Sequence, residues 1–256
     1  MTRRKNSVLI HNFPNNYPVH RKMVANIVNL IGLTTIRVHK NLLHKENYHQ
    51  FRNNVRKGDI VLVGQFRRAS SFFVSGPINH ALIYIGKNKL IHSIRNGVQT
   101  TTFDNLFREY DTMVILRLRN ADFNQINNAI EYARNCLGKP FNFDFKKDKH
   151  EKYYCSELIY RALDHAGIKF TLNNPHLYST ALKFILRRDK TLHPMCYLNH
   201  DFKIVMASSN LDITDSDNKT INLRLLNESK NRHLNQLPLR KKVYRHLLDR
   251  LLPKPL

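Results

Sequence analysis

The sequence predicts an α+β fold in which an antiparallel sheet packs against helices. Short runs rich in Val, Ile and Leu at 60–63, 80–85 and 90–94 are bounded by Gly and Asn turns, as β-strands are. Apolar residues recur at helical spacing over 123–137 and 155–166, and a glycine follows each segment. With 42% hydrophobic residues and only 8 Gly and 9 Pro among 256 residues, the chain is able to bury a sizeable core.

Residues 1–54 form the first of three predicted units, an N-terminal helical segment. Apolar residues between Val19 and His44 recur at helical spacing, which predicts one or two amphipathic helices interrupted near Gly32. We expect this segment to precede a separate catalytic core.

The second predicted unit, residues 55–208, contains the sheet. A Gly turn at 57–59 introduces the first strand, and the turn at 86–89 joins the next two strands into a hairpin. Weaker patterns predict, in chain order, a helix at 103–110, a strand at 113–118, the two helices named above and a last strand at 203–207.

The third predicted unit, residues 209–256, is a basic tail. Its polar beginning at 210–218 is typical of a linker. Leucines then mix with Arg and Lys over 223–252, which predicts a basic amphipathic helix. Such a helix either lies on an anionic membrane surface or packs on its own catalytic domain, and the pattern does not decide between them.

The chain is strongly basic, with 42 Lys and Arg against 19 Asp and Glu and a formal net charge of +23. Such a surface attracts polyanions, although basic residues spread along a whole chain also fit a merely solvated surface. The three cysteines are too few for a disulfide framework, which favours a reducing compartment. The apolar run at 8–10 is too short for a secretory signal. We therefore expect a cytoplasmic or peripheral membrane protein.

One cysteine and two histidines form the candidate catalytic constellation. Cys155 lies in the first turn of a predicted helix, where unpaired N–H groups and the helix dipole favour a thiolate. His80 opens a strand directly after a Gly-Pro turn, and His92 lies on the partner strand of the same hairpin. We expect His80 to act as the base and His92 to orient it. The alternative is that Cys155 has no catalytic role, because a cysteine on a helix is most often a small buried hydrophobic residue.

Two weaker features accompany this constellation. Tyr154 precedes the candidate nucleophile and either lines the site, where it would help to bind an oxyanion, or is simply a packed aromatic residue. His193, Cys196 and His200 have a spacing that suggests zinc, but no fourth ligand follows at a fixed distance. We expect no metal and no cofactor.

The candidate residues lie within motifs that resemble a known superfamily. The motifs are Lys57-Gly58-Asp59-Ile60-Val61-Leu62, Gly76-Pro77-Ile78-Asn79-His80-Ala81-Leu82-Ile83-Tyr84-Ile85-Gly86, Leu90-Ile91-His92-Ser93, Gly138-Lys139-Pro140-Phe141-Asn142-Phe143 and Tyr153-Tyr154-Cys155-Ser156-Glu157-Leu158-Ile159. Over roughly residues 55 to 185 the chain resembles the permuted branch of the NlpC/P60 papain-like superfamily, most closely the YiiX/YebB-like cysteine hydrolases. In that branch the histidine strand precedes the cysteine helix, as it does here.

The resemblance implies a permuted papain-like fold with Cys155 as nucleophile and His80 as base. The third, polar member falls at His92, where many relatives have Glu, and a histidine there resembles the related lecithin:retinol acyltransferase-like proteins. The implied substrates are peptide or isopeptide amides, or lipid acyl esters and amides.

Without a secretory signal a cell-wall target is less favoured. If the basic tail has a partner outside its own catalytic domain, the pattern favours an anionic membrane surface over nucleic acid. The rival hypothesis is a catalytically silent relative that acts as a basic membrane- or nucleic-acid-binding module, and the oligomeric state is left open.

Overall fold

The fold is known from a computed structural model. The structure describes residues 8–33, 43, 45–65, 76–143, 145, 151–172, 192–216 and 220–226. The helices are α1 (Val19–Leu33), α2 (Lys45–Asn54), α3 (Phe103–Glu109), α4 (Phe123–Asn135) and α5 (Cys155–His165). The strands are β1 (Ile60–Gly64), β2 (His80–Gly86), β3 (Lys89–Ile94), β4 (Gly97–Thr102), β5 (Thr112–Leu118), β6 (Phe202–Ala207), β7 (Leu211–Ser216) and β8 (Thr220–Leu225).

A six-stranded antiparallel sheet forms the centre of the molecule, in the order β4-β3-β2-β1-β5-β6. Strands β2 and β3 are joined by the two residues Lys87 and Asn88, which both have positive φ. This is the backbone geometry of a type I′ turn, which matches the right-handed twist of the flanking strands. The predicted hairpin and the predicted α+β class are confirmed.

Helices cover both faces of the sheet. On one face α4 and α5 pack their small and branched side chains, such as Ala133 and Leu158, against Ile83 and Ile91. On the other face α2 and α3 pack Phe51 and Phe103 against the opposite side of the same strands. The result is a three-layer arrangement, and α5 lies directly against β2 and β3.

The predicted linker at 210–218 is wrong, because most of it forms strand β7. Strands β7 and β8 make an antiparallel hairpin, and Leu211 and Leu223 are buried in the core on the α4 and α5 side. The segment looked like a linker because only one face of this hairpin is buried and residues such as Asp212 and Thr214 face solvent. The helix predicted over 223–252 therefore does not begin in the hairpin. The remainder of that prediction lies outside the described residues.

Tight packing fixes the backbone that leads into β2. The Thr112 hydroxyl donates a 2.5 Å hydrogen bond to the Pro77 carbonyl oxygen, and the Asn79 amide exchanges hydrogen bonds with the Gln65 backbone. Gly64 allows this close approach, since a Cβ at that position would overlap the Pro77 carbonyl oxygen and the Thr112 hydroxyl. The first residue of β2, His80, is therefore held from both sides.

We expect Gly64→Ala to lower the free energy of unfolding by about 3 kcal/mol or more, because the backbone of Pro77 must move to admit the new methyl group. Gly138→Ala is the control. Gly138 has φ of +84° but open space around it, so backbone strain alone should cost about 1 kcal/mol. Urea unfolding of both variants measures the difference, and equal losses would contradict the packing argument.

Candidate active site

Two buried histidines meet at one end of the central hairpin. The Nε2 atom of His80 lies 3.0 Å from Nδ1 of His92, which is a hydrogen bond between the first residue of β2 and the middle of β3. The strand register places the two side chains diagonally across the hairpin on one face. The structure thus brings together the predicted base and the predicted orienting residue.

The His80 ring is enclosed on its flat side as well. It stacks on Tyr110 at 6.0 Å with nearly parallel planes. Burial, together with the neighbouring His92, lowers the pKa of His80 well below its usual value, and burial lowers the pKa of His92 to about 4. Both imidazoles are therefore neutral at physiological pH.

The second nitrogen of His92 is buried as well. Among the residues that the structure describes, His92 Nε2 has no hydrogen-bond partner. With Nε2 of His80 bonded to His92, the other ring nitrogen, Nδ1, is the one that remains for a reacting group. The hydrogen-bonded pair of His80 and His92 therefore ends at a buried ring nitrogen and not at the solvent.

Cys155 is the first residue of α5, as predicted, and it is partly exposed. Its sulfur lies 3.8 Å from the Ser156 hydroxyl. Burial raises the pKa of the Cys155 thiol, whereas hydrogen bonds from Ser156 and from the backbone N–H groups of Ala81, Ser156 and Cys155 lower it. The thiol is therefore surrounded by N–H donors but is mostly protonated at rest.

The contact with Ala81 places the cysteine beside β2, at the residue that follows His80. Within the described ranges no hydrogen bond joins the Cys155 sulfur to His80 itself. Catalytic hydrogen bonds are often long in the absence of substrate and tighten in the complex. The described contacts therefore join Cys155 to the strand of His80 only through the backbone of Ala81, and they link only the two histidines directly.

Sequence patterns missed the residues that hold the start of α5 in place. Glu157 is buried, and the Asn142 amide donates a 3.0 Å hydrogen bond to its carboxylate. The carboxylate also accepts from the Tyr154 backbone N–H, so it caps the helix from inside the first turn. Burial raises the pKa of Glu157, and the bond from Asn142 opposes that shift. The available signal was an acidic residue three positions after the N-cap residue Tyr154.

A second unpredicted contact joins the strand of His92 to the nucleophile segment. The Ser93 hydroxyl donates a 2.5 Å hydrogen bond to the Tyr153 carbonyl oxygen. Ser93 is adjacent to His92, and Tyr153 lies two residues before Cys155. Strand β3 therefore carries His92 and also holds the segment that leads to Cys155.

Tyr154 is a buried packed residue in this structure. Its hydroxyl accepts a 3.2 Å hydrogen bond from the Leu192 N–H, and its ring packs against Phe145. Burial raises the pKa of its hydroxyl. The structure thus gives Tyr154 a tethering contact, and its predicted oxyanion role stays a prediction.

The remaining cysteines and the zinc-like spacing have no role in the predicted constellation, although Cys196 lies near the candidate nucleophile: burial and then the neighbouring Cys155 raise the pKa of its thiol. Cys136 directly follows α4 as its C-cap residue, and burial raises the pKa of its thiol. His193 accepts the Met195 N–H through Nδ1, and Cys196 is buried. Among the described residues, no group of three or more His, Cys, Asp or Glu side chains is placed to hold a metal ion.

Comparison with known proteins adds the family. Residues 54–222 match the family of permuted papain-like amidases, YaeF/YiiX, C92. A solved structure, that of the metalloprotein YiiX from Escherichia coli O157:H7, is similar over 60% of this chain and 97% of its own chain, with 17% identity and a TM-score of 0.48.

No protein of curated function matches the sequence significantly. The family match covers most of the chain, including the whole central sheet and α5. The match also extends beyond residue 208 into the β7–β8 hairpin. The chain therefore belongs to the YaeF/YiiX (C92) family of permuted papain-like amidases.

Proposed function

We propose that this chain is a cysteine amidase that forms a thioester on Cys155, with His80 as the general base and His92 as the residue that orients it. The observation that carries the proposal is the position of the thiol at the start of α5, against the strand that begins with the hydrogen-bonded His80. Membership in an amidase family supports the reaction class.

The proposed first step transfers one proton and forms one bond. His80 Nδ1 takes the proton from the Cys155 thiol while the sulfur attacks the acyl carbon. The oxyanion accepts hydrogen bonds from N–H groups in the first turn of α5. The oxyanion then collapses to a carbonyl and the bond from the acyl carbon to the amide nitrogen breaks. His80 gives its proton to the leaving amine, and the thioester remains.

The second step releases the acyl group. Water attacks the thioester carbon, His80 accepts the proton of that water, and the thiolate leaves and recovers a proton. In both steps His80 is positively charged only between accepting a proton and giving it up. The neutral His92 accepts a hydrogen bond from His80 Nε2–H in that state, a weaker support than a carboxylate would give.

We propose a peptide or isopeptide amide, or a lipid acyl amide or ester, as the substrate class. An acyl substrate that fills the site would exclude water from the thiol. The thiol proton must then pass to a nearby uncharged base, and a buried neutral histidine pair provides one. The basic surface, with net charge +23, favours substrates or surfaces that carry negative charge.

Alkylation of Cys155 by iodoacetamide tests the proposed pair. At neutral pH we expect His80→Ala to slow the reaction by about a hundredfold, because burial raises the pKa of the thiol and little thiolate exists without a base. The difference in alkylation rate between His80→Ala and the wild type should vanish at a pH above the pKa of the Cys155 thiol, where the thiolate forms without a base. Peptide mass spectrometry reports Cys155 separately from the two other cysteines.

His20→Ala, at an exposed histidine on α1, is the matched control and should react like the wild type. Equal rates in His80→Ala and the wild type would reject the pair. The catalytically silent binding module would then be the better account of the chain.

The pH dependence of stability tests the buried neutral state of the histidines. Unfolded His92 binds a proton below a pH of about 6.5, whereas folded His92 does so only near 4. Stability therefore falls as the pH drops through this window, by about 3 kcal/mol for His92 alone.

We expect His92→Gln to reduce the slope of the pH profile of the free energy of unfolding between these limits, as measured by urea unfolding, while buried His80 supplies the slope that remains. His20→Gln, at the exposed surface, should leave the slope unchanged. A wild-type slope in His92→Gln would mean that His92 is not held neutral by burial.

A further inference from the structure

Exposed apolar side chains concentrate at the N-terminal side of the molecule. Eleven large hydrophobic residues are exposed in the described part of the chain, and seven of them lie between residues 8 and 30. Five of the seven form what we term the apolar face of α1: Val19, Met23, Val24, Ile27 and Leu30. Scattered single exposed hydrophobic residues need no explanation, but a contiguous patch marks an interaction surface.

Helix α1 turns its polar side inward. Asn26 binds the Ile10 backbone N–H at 2.7 Å, and the Asn29 amide donates to the Val8 carbonyl oxygen at 2.7 Å. Ala25 is buried on the same side. The side chains that a helix normally buries against its own protein therefore point away from it.

This helix is fixed to the catalytic domain by the segment before it. The Asn12 amide donates to the carbonyl oxygens of Asn96 and Gly138 at 3.1 and 3.0 Å. The Phe13 ring packs on Phe143 at 5.7 Å. The apolar face of α1 thus has a set orientation relative to the domain that carries the candidate site.

Charge identifies the occupant of this face. The first 45 residues contain eight Lys and Arg and no Asp or Glu. His20 and Arg21 are exposed on α1 itself. A second copy of this face would bring the same positive charge, and residues 227–256, with eight basic and two acidic residues, would do so as well. An anionic surface is the complementary partner.

We propose that the apolar face of α1 is a membrane-binding surface that inserts into the interface of an anionic lipid bilayer. Apolar side chains flanked by basic residues, in a segment without Asp or Glu, have the composition of an interfacial helix. Among the described residues no helix is long and apolar enough to cross a membrane. Helix α1 itself has 15 residues, which is about 22 Å and shorter than the ~30 Å hydrocarbon core of a bilayer. In this proposal it lies along the surface and holds the catalytic domain against the bilayer.

The absence of tryptophan from the chain gives a direct probe. In a Met23→Trp variant the single indole reports on the apolar face of α1. We expect its fluorescence to shift to shorter wavelength with vesicles of equimolar phosphatidylcholine and phosphatidylserine, and not with phosphatidylcholine alone. Phe123→Trp is the matched control, because Phe123 is 76% exposed on α4, and its emission should not shift.

Co-sedimentation with the same anionic vesicles measures the contribution of the face. We expect Met23→Ser combined with Ile27→Ser to weaken binding about tenfold or more, because two side chains lose their burial in the bilayer. Phe123→Ser should bind like the wild type. All three proteins should unfold alike, since the replaced side chains are exposed.

Three results would overturn the proposal. The first is failure of the wild type to bind anionic vesicles. The second is a double variant that binds them as well as the wild type, which would assign the binding to another basic surface. The third is a wild-type dimer in light scattering that the double substitution turns into a monomer, which would make the face a contact between copies of the chain. All three readouts are independent of catalysis.

Discussion

The hydrogen bond between His80 Nε2 and His92 Nδ1 is the contact on which the rest of the candidate site depends. Each neutral imidazole carries one proton, so this bond couples the two rings. If His80 donates through Nε2–H, its Nδ1 is free to accept a proton from a thiol. If His92 donates instead, Nδ1 of His80 carries the proton and cannot act as a base. The position of the proton in the buried His80–His92 pair therefore decides whether His80 can accept the proton of Cys155.

The fold holds this pair and the nucleophile through shared elements. Strand β3 contributes His92 to the pair and, one residue later, Ser93 to the segment that leads to Cys155. Strand β2 contributes His80 and, one residue later, the Ala81 N–H that approaches the thiol. Gly64 and Thr112 fix the turn before His80, and Glu157 fixes the first turn of α5. A small shift of either strand would therefore move both halves of the site together.

Local sequence signals predicted the parts of this site that depend on local structure. The turn at Lys87 and Asn88 predicted a hairpin, and the hairpin was enough to predict that His80 and His92 are neighbours. Contacts between distant segments, such as Asn142 with Glu157, left no periodic signal. The β7–β8 hairpin was missed because its exposed face is polar. Helical spacing predicted α1 but did not reveal that its apolar residues face outward, since periodicity gives an amphipathic helix without its orientation.

The most direct test of the account is the protonation pattern of the two rings, measured by nitrogen-15 NMR of the imidazoles at neutral pH, with His80→Gln and His92→Gln used for assignment. We expect both rings to be neutral and to carry their proton on Nε2, which leaves Nδ1 of His80 unprotonated and able to act as the base. A proton on Nδ1 of His80 would contradict it, because the candidate base would then be unable to accept the proton of Cys155.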